Sequence, residues 1–161
     1  MHPIENITLR PIEPTDLDTL YQQQLDPEAN WMAAFVSKDP TDRAAFDAHW
    51  AKILQSPQNI NRTIVAEGQV VGHIACFPME GELEITYWLG REFWGRGVAT
   101  QALLKLLQLI PTRPIFGRAA SDNPGSIRVM EKCGFKVIGT DKGFAHGRRG
   151  EIQETILRLD A

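Results

Sequence analysis

The sequence predicts an α+β fold, with a mixed, mostly antiparallel sheet of about seven strands flanked by about four helices. Three observations carry this expectation. Residues 63–89 hold successive apolar, β-rich runs separated by the turns Glu67-Gly68 and Glu80-Gly81, the pattern of consecutive hairpins. Residues 83–107, LEITYWLGREFWGRGVATQALLKLL, pass from an apolar strand through a glycine turn into an amphipathic helix. A second helix and two more strand-like runs follow, without a repeat or linker. The 161 residues suffice for one core, and a single domain over residues 1–161 is expected.

Each element has a local reason. Ile7-Thr8-Leu9-Arg10-Pro11-Ile12 alternates as an opening strand would. Thr15 and Asp18 resemble a capping box, starting a helix that runs to about Leu25. Asp26-Pro27 breaks it, and Trp31–Phe35 reads as irregular or briefly helical. Asp39, as cap, and Pro40, in the first turn, open another helix that ends at Ser56-Pro57. Thr63–Ala66, Val70–Phe77 and Leu83–Leu89 form the hairpin series. The next helix carries Val98, Ala102, Leu103, Leu106, Leu107 and Ile110 at helical spacing, and Pro111 stops it. After the strand Ile115–Ala120, Asn123-Pro124 starts a short helix that Gly134 ends. Phe135–Gly139 and Glu154–Leu159 read as closing strands, with Lys142–Gly150 as a polar loop between them.

Composition excludes several function classes. Hydrophobic residues make up 43% and charged residues 23%, as in a soluble globular chain. No run approaches the roughly 18 apolar residues of a membrane span. The start, MHPIENITLRPIE, lacks the basic-then-apolar order of a secretory signal, so a cytoplasmic location is expected. A net charge of -3 argues against broad nucleic-acid binding. Cys76 and Cys133 have neither disulfide-framework nor zinc-site spacing and read as buried hydrophobes, so no metal is expected.

The turn Gly95-Arg96-Gly97-Val98-Ala99-Thr100 carries the chemistry. Helix N-termini present unsatisfied N–H groups and a positive dipole end, and so attract phosphate. Glycine lets the backbone approach such a ligand and take positive φ. The GK[ST] ending of a Walker A loop is absent, and Thr100 stands where a dinucleotide fingerprint wants a small residue. A nucleotide-binding module and a plain strand–helix turn stay open on these residues alone.

The wider segment YWLGREFWGRGVATQALL resembles motif A of the GNAT superfamily of N-acetyltransferases, especially the branch with ribosomal-protein N-terminal acetyltransferases. Gly97 and Ala99 match the last two fixed positions of Gln/Arg-x-x-Gly-x-Gly/Ala, while Trp94 replaces the first. Asn123–Phe135, NPGSIRVMEKCGF, is similar to the family's N-x-x-S…E-K-x-G-F segment. The resemblance implies a sheet splayed between its fourth and fifth strands, with acetyl-CoA as cosubstrate in the opening and no metal. It implies a backbone contact from Leu89 and a pyrophosphate cradle at Arg96, Gly97, Val98, Ala99 and Thr100. Asn123 matches a position near the pantetheine arm; capping its own helix is the plainer reading, and both can hold.

The reaction so implied is direct attack of a primary amine, on a small molecule or a protein N-terminus, upon the thioester. At pH 7 a lysine-like amine with pKa ~10.4 costs roughly 4.6 kcal/mol to deprotonate, an α-amine near ~8 only about 1.4. Glu84 is the candidate base, against the plain reading of a solvent-facing strand residue; Glu82 and His73 are weaker substitutes. The tyrosine that many relatives place after the fifth strand is missing. Ser126 matches the branch's serine and is the candidate partner of the departing sulfur, or else serves its own helix end. Trp31, Phe35, Arg148 and Arg149 are the candidate acceptor contacts, with Trp50 more simply a core residue. A monomer or homodimer is expected. The competing reading is a non-catalytic acyl-CoA-binding or sensor domain on the same fold.

Overall fold

The computed structural model describes residues 2–161, and all seven of its strands join one sheet in the order β1-β2-β3-β4-β5-β7-β6. Strands β1 (Ile7–Pro11), β2 (Ile60–Ala66), β3 (Gln69–Met79) and β4 (Glu82–Leu89) form an antiparallel half. Strands β5 (Ile115–Ala120), β7 (Gly150–Leu159) and β6 (Lys136–Ala145) form another. The halves meet in parallel through β4 and β5, and only Leu83↔Ile115 and Glu84↔Phe116 are paired. Beyond Glu84 the sheet opens, as the resemblance implies.

Helix α4 (Val98–Gln108) covers one face, and α5 (Pro124–Lys132) lies beside it. The apolar stripe Val98, Ala102, Leu103, Leu106 and Leu107 is buried against Ile64, Ile74, Ile85, Ile115 and Leu157 of the sheet. Helices α1 (Asp16–Gln23), α2 (Pro27–Ala33) and α3 (Arg43–Gln55) lie along the chain between β1 and β2. Trp50 of α3 packs edge-on against His73 of β3 at 5.0 Å, so the core reading of Trp50 holds. Both cysteines are buried, and burial pushes the Cys76 thiol up to about 11.

The structure corrects four local expectations. Five α-helices form among the described residues, because Asp26-Pro27, just past the end of α1, starts α2: the Asp26 carboxylate accepts from the Glu28 N–H at 3.0 Å. Thr15 makes no side-chain cap on α1. Its neighbour Asp16 accepts from Arg10 (2.8 and 2.9 Å), the Glu13 N–H and Thr63 Oγ1, and the Arg10 guanidinium foremost lowers its carboxyl to about 2. Helix α3 is capped by Asp42, whereas Asp39 closes a turn onto Thr41. The expected loop Lys142–Gly150 shrinks to residues 146–149, since β6 and β7 pair out to Ala145↔Gly150. No helix among the described residues is long and apolar enough to cross a membrane.

Candidate functional site

The turn between β4 and α4 is built from backbone. A 3-10 turn at Arg91–Phe93 leads into Gly95 and Gly97, both left-handed at φ 70° and 79°. With Gly97 as N-cap, the first intrahelical donor is the Gln101 N–H, which reaches the Gly97 carbonyl at 3.2 Å. The N–H groups of Gly95, Arg96, Gly97, Val98, Ala99 and Thr100 have no acceptor among the described residues. Six consecutive free donors at a helix N-terminus make an anion cradle. Gly95 and Gly97 are exposed, so the cradle is open to solvent.

The turn is pinned from behind. Ile4 N–H donates to the Arg96 carbonyl at 3.0 Å, and Gln101 Nε2 donates to the Ile4 carbonyl. The Arg96 guanidinium reaches the His2 carbonyl at 3.2 Å. Trp94, at the departed motif position, donates its indole N–H to the Leu89 carbonyl at 3.1 Å. Its role is to hold the turn on the end of β4.

The neighbouring edge of β4 is open too. Gly90 N–H donates to the Val71 carbonyl at 2.9 Å, extending the β3–β4 register. Antiparallel alternation therefore turns the backbone of Trp88 and Thr86 toward β3, and that of Leu89 and Tyr87 away from it. Pairing with β5 has ended by then, so the Tyr87 groups and the Leu89 N–H meet no neighbouring strand. An extended ligand arm can add there as a strand would. Leu89, the position for which the resemblance implies a backbone contact, stands at this open edge next to the glycine turn.

Side chains alternate across this opening. Ile85, Tyr87 and Leu89 join the core on the α4–α5 side. Glu84 belongs to the opposite face and is buried; its Oε1 accepts from Arg118 Nε at 2.9 Å. Glu84 Oε2 has no hydrogen bond among the described residues. Arg118 also reaches Glu154 Oε1 at 3.2 Å and Asp141 Oδ2 at 3.8 Å. Burial pushes the Glu154 carboxyl above its ordinary range, against the pull of Arg118. Three carboxylates thus gather on one arginine. Glu82 is exposed at the start of β4, and His73 lies under Trp50, away from this group.

Sequence reasoning missed Arg118 and Glu154, though both left a signal. Arg118 is the one charge in IFGRAA, and Glu154 shares its alternating face with Ile152 and Ile156. A charge in an apolar strand needs a partner. Tyr87 was also missed: its hydroxyl lies 3.0 Å from Ser126 Oγ.

At the head of α5, Asn123 Oδ1 accepts from the Ser126 N–H at 3.3 Å, and Asn123 Nδ2 donates to the Met32 carbonyl at 3.3 Å. The capping reading of Asn123 holds, and the same side chain ties α5 to α2. Next to it, Asp122 binds Arg148 through both oxygens at 2.7 and 2.8 Å. The Arg148 guanidinium also lies 3.6 Å from the Trp31 ring centroid, and its Nε donates to the Trp31 carbonyl at 2.6 Å. Trp31 is 51% exposed, so the stack stands at the surface. Phe35 and Ile152 pack against the cluster Ala34, Ala120 and Ala145, while Arg149 is exposed. The structure therefore brings Trp31, Phe35 and Arg148 together beside the α5 N-terminus, with Arg148 already paired. Among the described residues no group of histidines, cysteines and carboxylates has metal-binding geometry.

Comparison with known proteins points the same way. The family model described as an acetyltransferase (GNAT) domain matches residues 6–136. A Bacillus subtilis (strain 168) protein, provisionally named ribosomal N-acetyltransferase YdaF, is 28% identical over 145 residues, spanning 81% of this chain and 78% of that one. Among solved structures, Mycobacterium smegmatis RimJ in complex with CoA-disulfide superposes with a TM-score of 0.84 at 18% identity, over 99% of this chain and 84% of that one. The microcin self-immunity acetyltransferase MccE, in complex with acetyl-CoA and AMP, gives 0.82 at 17% identity over 98% and 93%.

Proposed function

The chain belongs to the GNAT acetyltransferase family and is an acetyl-CoA-dependent N-acetyltransferase, and we propose that its acceptor is a primary amine of a small molecule or a protein N-terminus. The observation that carries the donor half is the run of six free N–H groups from Gly95 to Thr100 beside the open edge of β4. A pyrophosphate fits that cradle through backbone donors, with Arg96, Gly97, Val98, Ala99 and Thr100 around it. The pantetheine arm runs along β4 from Leu89 toward Glu84, with Asn123 at its side. It delivers a thioester and leaves as a thiol.

The chain's own residues divide the remaining work. Glu84, with Oε2 unused, is the base facing the acceptor, and Arg118 fixes its orientation. Glu154 and Asp141 share that arginine, so the group carries excess negative charge beside the opening and favours an ammonium over an anionic acceptor. Trp31, Phe35, Arg148 and Arg149 form the rim over which the acceptor enters. An α-amine gives up its proton most cheaply at neutral pH, which favours peptide N-termini and amino-acid-like amines over lysine side chains.

Mass spectrometry of an amine and peptide panel incubated with acetyl-CoA tests this. A gain of one acetyl group on primary amines is expected. An absence of product from every amine, despite measurable CoA binding, would leave the acyl-CoA-sensor reading standing. Stronger binding of ATP or NAD than of CoA would reassign the cradle to a nucleotide.

A further inference from the structure

We propose that Tyr87 of β4 is a positioning residue for Ser126, its phenol donating to Ser126 Oγ so that the serine O–H points into the opening toward the departing sulfur. The inference rests on the transferase reading given above. It starts from one contact, the 3.0 Å separation of Tyr87 Oη and Ser126 Oγ.

Position comes first. Tyr87 lies three residues beyond the last β4–β5 pair, on the stretch of strand whose backbone edge is free. Ser126 is in the first turn of α5, directly after β5. Their contact therefore crosses from one lip of the opening to the helix that follows the other lip. An arm whose phosphate end sits at Gly95–Thr100 enters at Leu89 and runs toward Glu84, where the sheet closes. The reacting end of the arm then lies beside the hydroxyl pair on one face and beside Glu84 on the other.

Chemistry sets the direction of the hydrogen bond. A phenol is the stronger acid of the two hydroxyls and so the better donor. Burial pushes the Tyr87 phenol further up, which keeps it protonated at neutral pH. Ser126 Oγ is not spent on capping, because its helix end is closed by Asn123 Oδ1. Both residues are half-buried, Tyr87 packing against the core cluster that holds Ile85 and Leu89 and Ser126 standing in the first turn of α5. The packed phenol fixes the rotor, and the hydroxyl at the helix end meets the ligand.

The transfer balances without consuming either hydroxyl. The amine nitrogen bonds to the acyl carbon and the carbon–sulfur bond breaks. The ammonium loses one proton to the carboxylates and solvent before attack and a second as the amide forms, solvent returns one proton to the sulfur, and one proton is released overall. Ser126 lends a hydrogen bond to the thiolate as it forms, and Tyr87 holds that donor in place.

A double-mutant cycle reads this directly. Tyr87→Phe is expected to lower kcat about tenfold while KM for acetyl-CoA and CoA affinity stay within about twofold; Ser126→Ala is expected to do the same. The double variant is expected to be no slower than Ser126→Ala, because Tyr87 acts only through Ser126. Wild-type kcat in Tyr87→Phe, or losses that multiply in the double variant, would overturn the proposal.

A second measurement serves if Tyr87→Phe does not fold. Tyr21 and Tyr87 are the two tyrosines, so 3-fluorotyrosine labelling gives two resonances, assigned with Tyr21→Phe. The Tyr87 resonance is expected to move on CoA addition and to move in Ser126→Ala. A resonance indifferent to both would place the pair outside the cleft. Wild-type protein that binds CoA yet acetylates nothing would instead sink the transferase reading.

Discussion

The donor and acceptor sides proposed for the opening are built from different materials. On the donor side, the Gly95–Thr100 cradle and the β4 edge offer backbone groups left without partners by a helix start and by strands that part. On the acceptor side, the polar side chains already hold one another: Arg118 gathers Glu84, Glu154 and Asp141, and Arg148 is clasped by Asp122 and stacked on Trp31. A backbone site suits a phosphorylated carrier, because its donors stay the same whatever the side chains. A site of paired side chains changes with each residue, which suits the half that must differ between acceptors.

Breaking the donor side should have the largest effect. Gly97 is left-handed, and an aspartate there adds both backbone strain and a charge facing phosphate. Gly97→Asp is expected to weaken CoA binding at least about 100-fold by calorimetry, about 2.7 kcal/mol or more. Unchanged affinity in a folded variant would remove the cradle.

Next comes the base. Glu84→Gln keeps the shape of the side chain and its bond to Arg118 but removes the basic oxygen. Turnover is expected to fall about 100-fold, within the range for a positioned base, with CoA affinity retained. A matching loss in Glu154→Gln would show that the carboxylates act as a group. Full activity in Glu84→Gln with loss in Glu154→Gln would move the role to β7.

The sheet beneath the acceptor side carries its own pH dependence. His73 Nδ1 is buried with no partner among the described residues, and burial foremost lowers the imidazole from 6.5 to about 4. The unfolded chain takes up this proton below about pH 6.5, whereas the folded chain resists it until about pH 4. The neutral histidine's contribution is therefore complete above the unfolded value and declines as pH falls through that window. Urea melts are expected to lose about 2 kcal/mol between pH 7 and pH 5, an effect that His73→Gln abolishes. An equal loss in the variant would assign it elsewhere.

The smallest effect is expected at the rim. Arg148→Ala removes a stacked and doubly bonded guanidinium, costing about 1 kcal/mol of stability. CoA affinity should not move. A rise in acceptor KM well beyond that loss would show that Arg148 leaves Asp122 to hold the acceptor.

The same contrast explains how much was legible in the sequence. Backbone sites leave local marks: glycines before a helix, an Asn-Pro start and a glycine end spelled out both specific segments and the order of strands. The splayed sheet, and the roles expected of Leu89 and of Arg96–Thr100, came from the family resemblance that those segments carry. Side-chain pairings leave no local mark, because the partners are distant in the chain. The role of Asp16 left no local mark, since its partners Arg10 and Thr63 come from two strands. Tyr87 meets Ser126 39 residues away, and Arg118 meets Glu154 36 away. Asp39-Pro40 reads as the cap and first turn of α3, but Asp39 turns onto Thr41 and the cap falls to Asp42, a local path that residue types alone do not mark. Both closing strands were legible, but Lys142–Gly150 reads as a loop because β6 is an exposed edge strand with few buried positions to betray its period.

The most direct measurement is release of free thiol from acetyl-CoA, followed with and without an amine panel, in wild-type protein and Gly97→Asp side by side. Saturable, amine-dependent release by the wild type, absent from a folded Gly97→Asp, is the expected result. Tight CoA binding by the wild type with no release for any amine would contradict it.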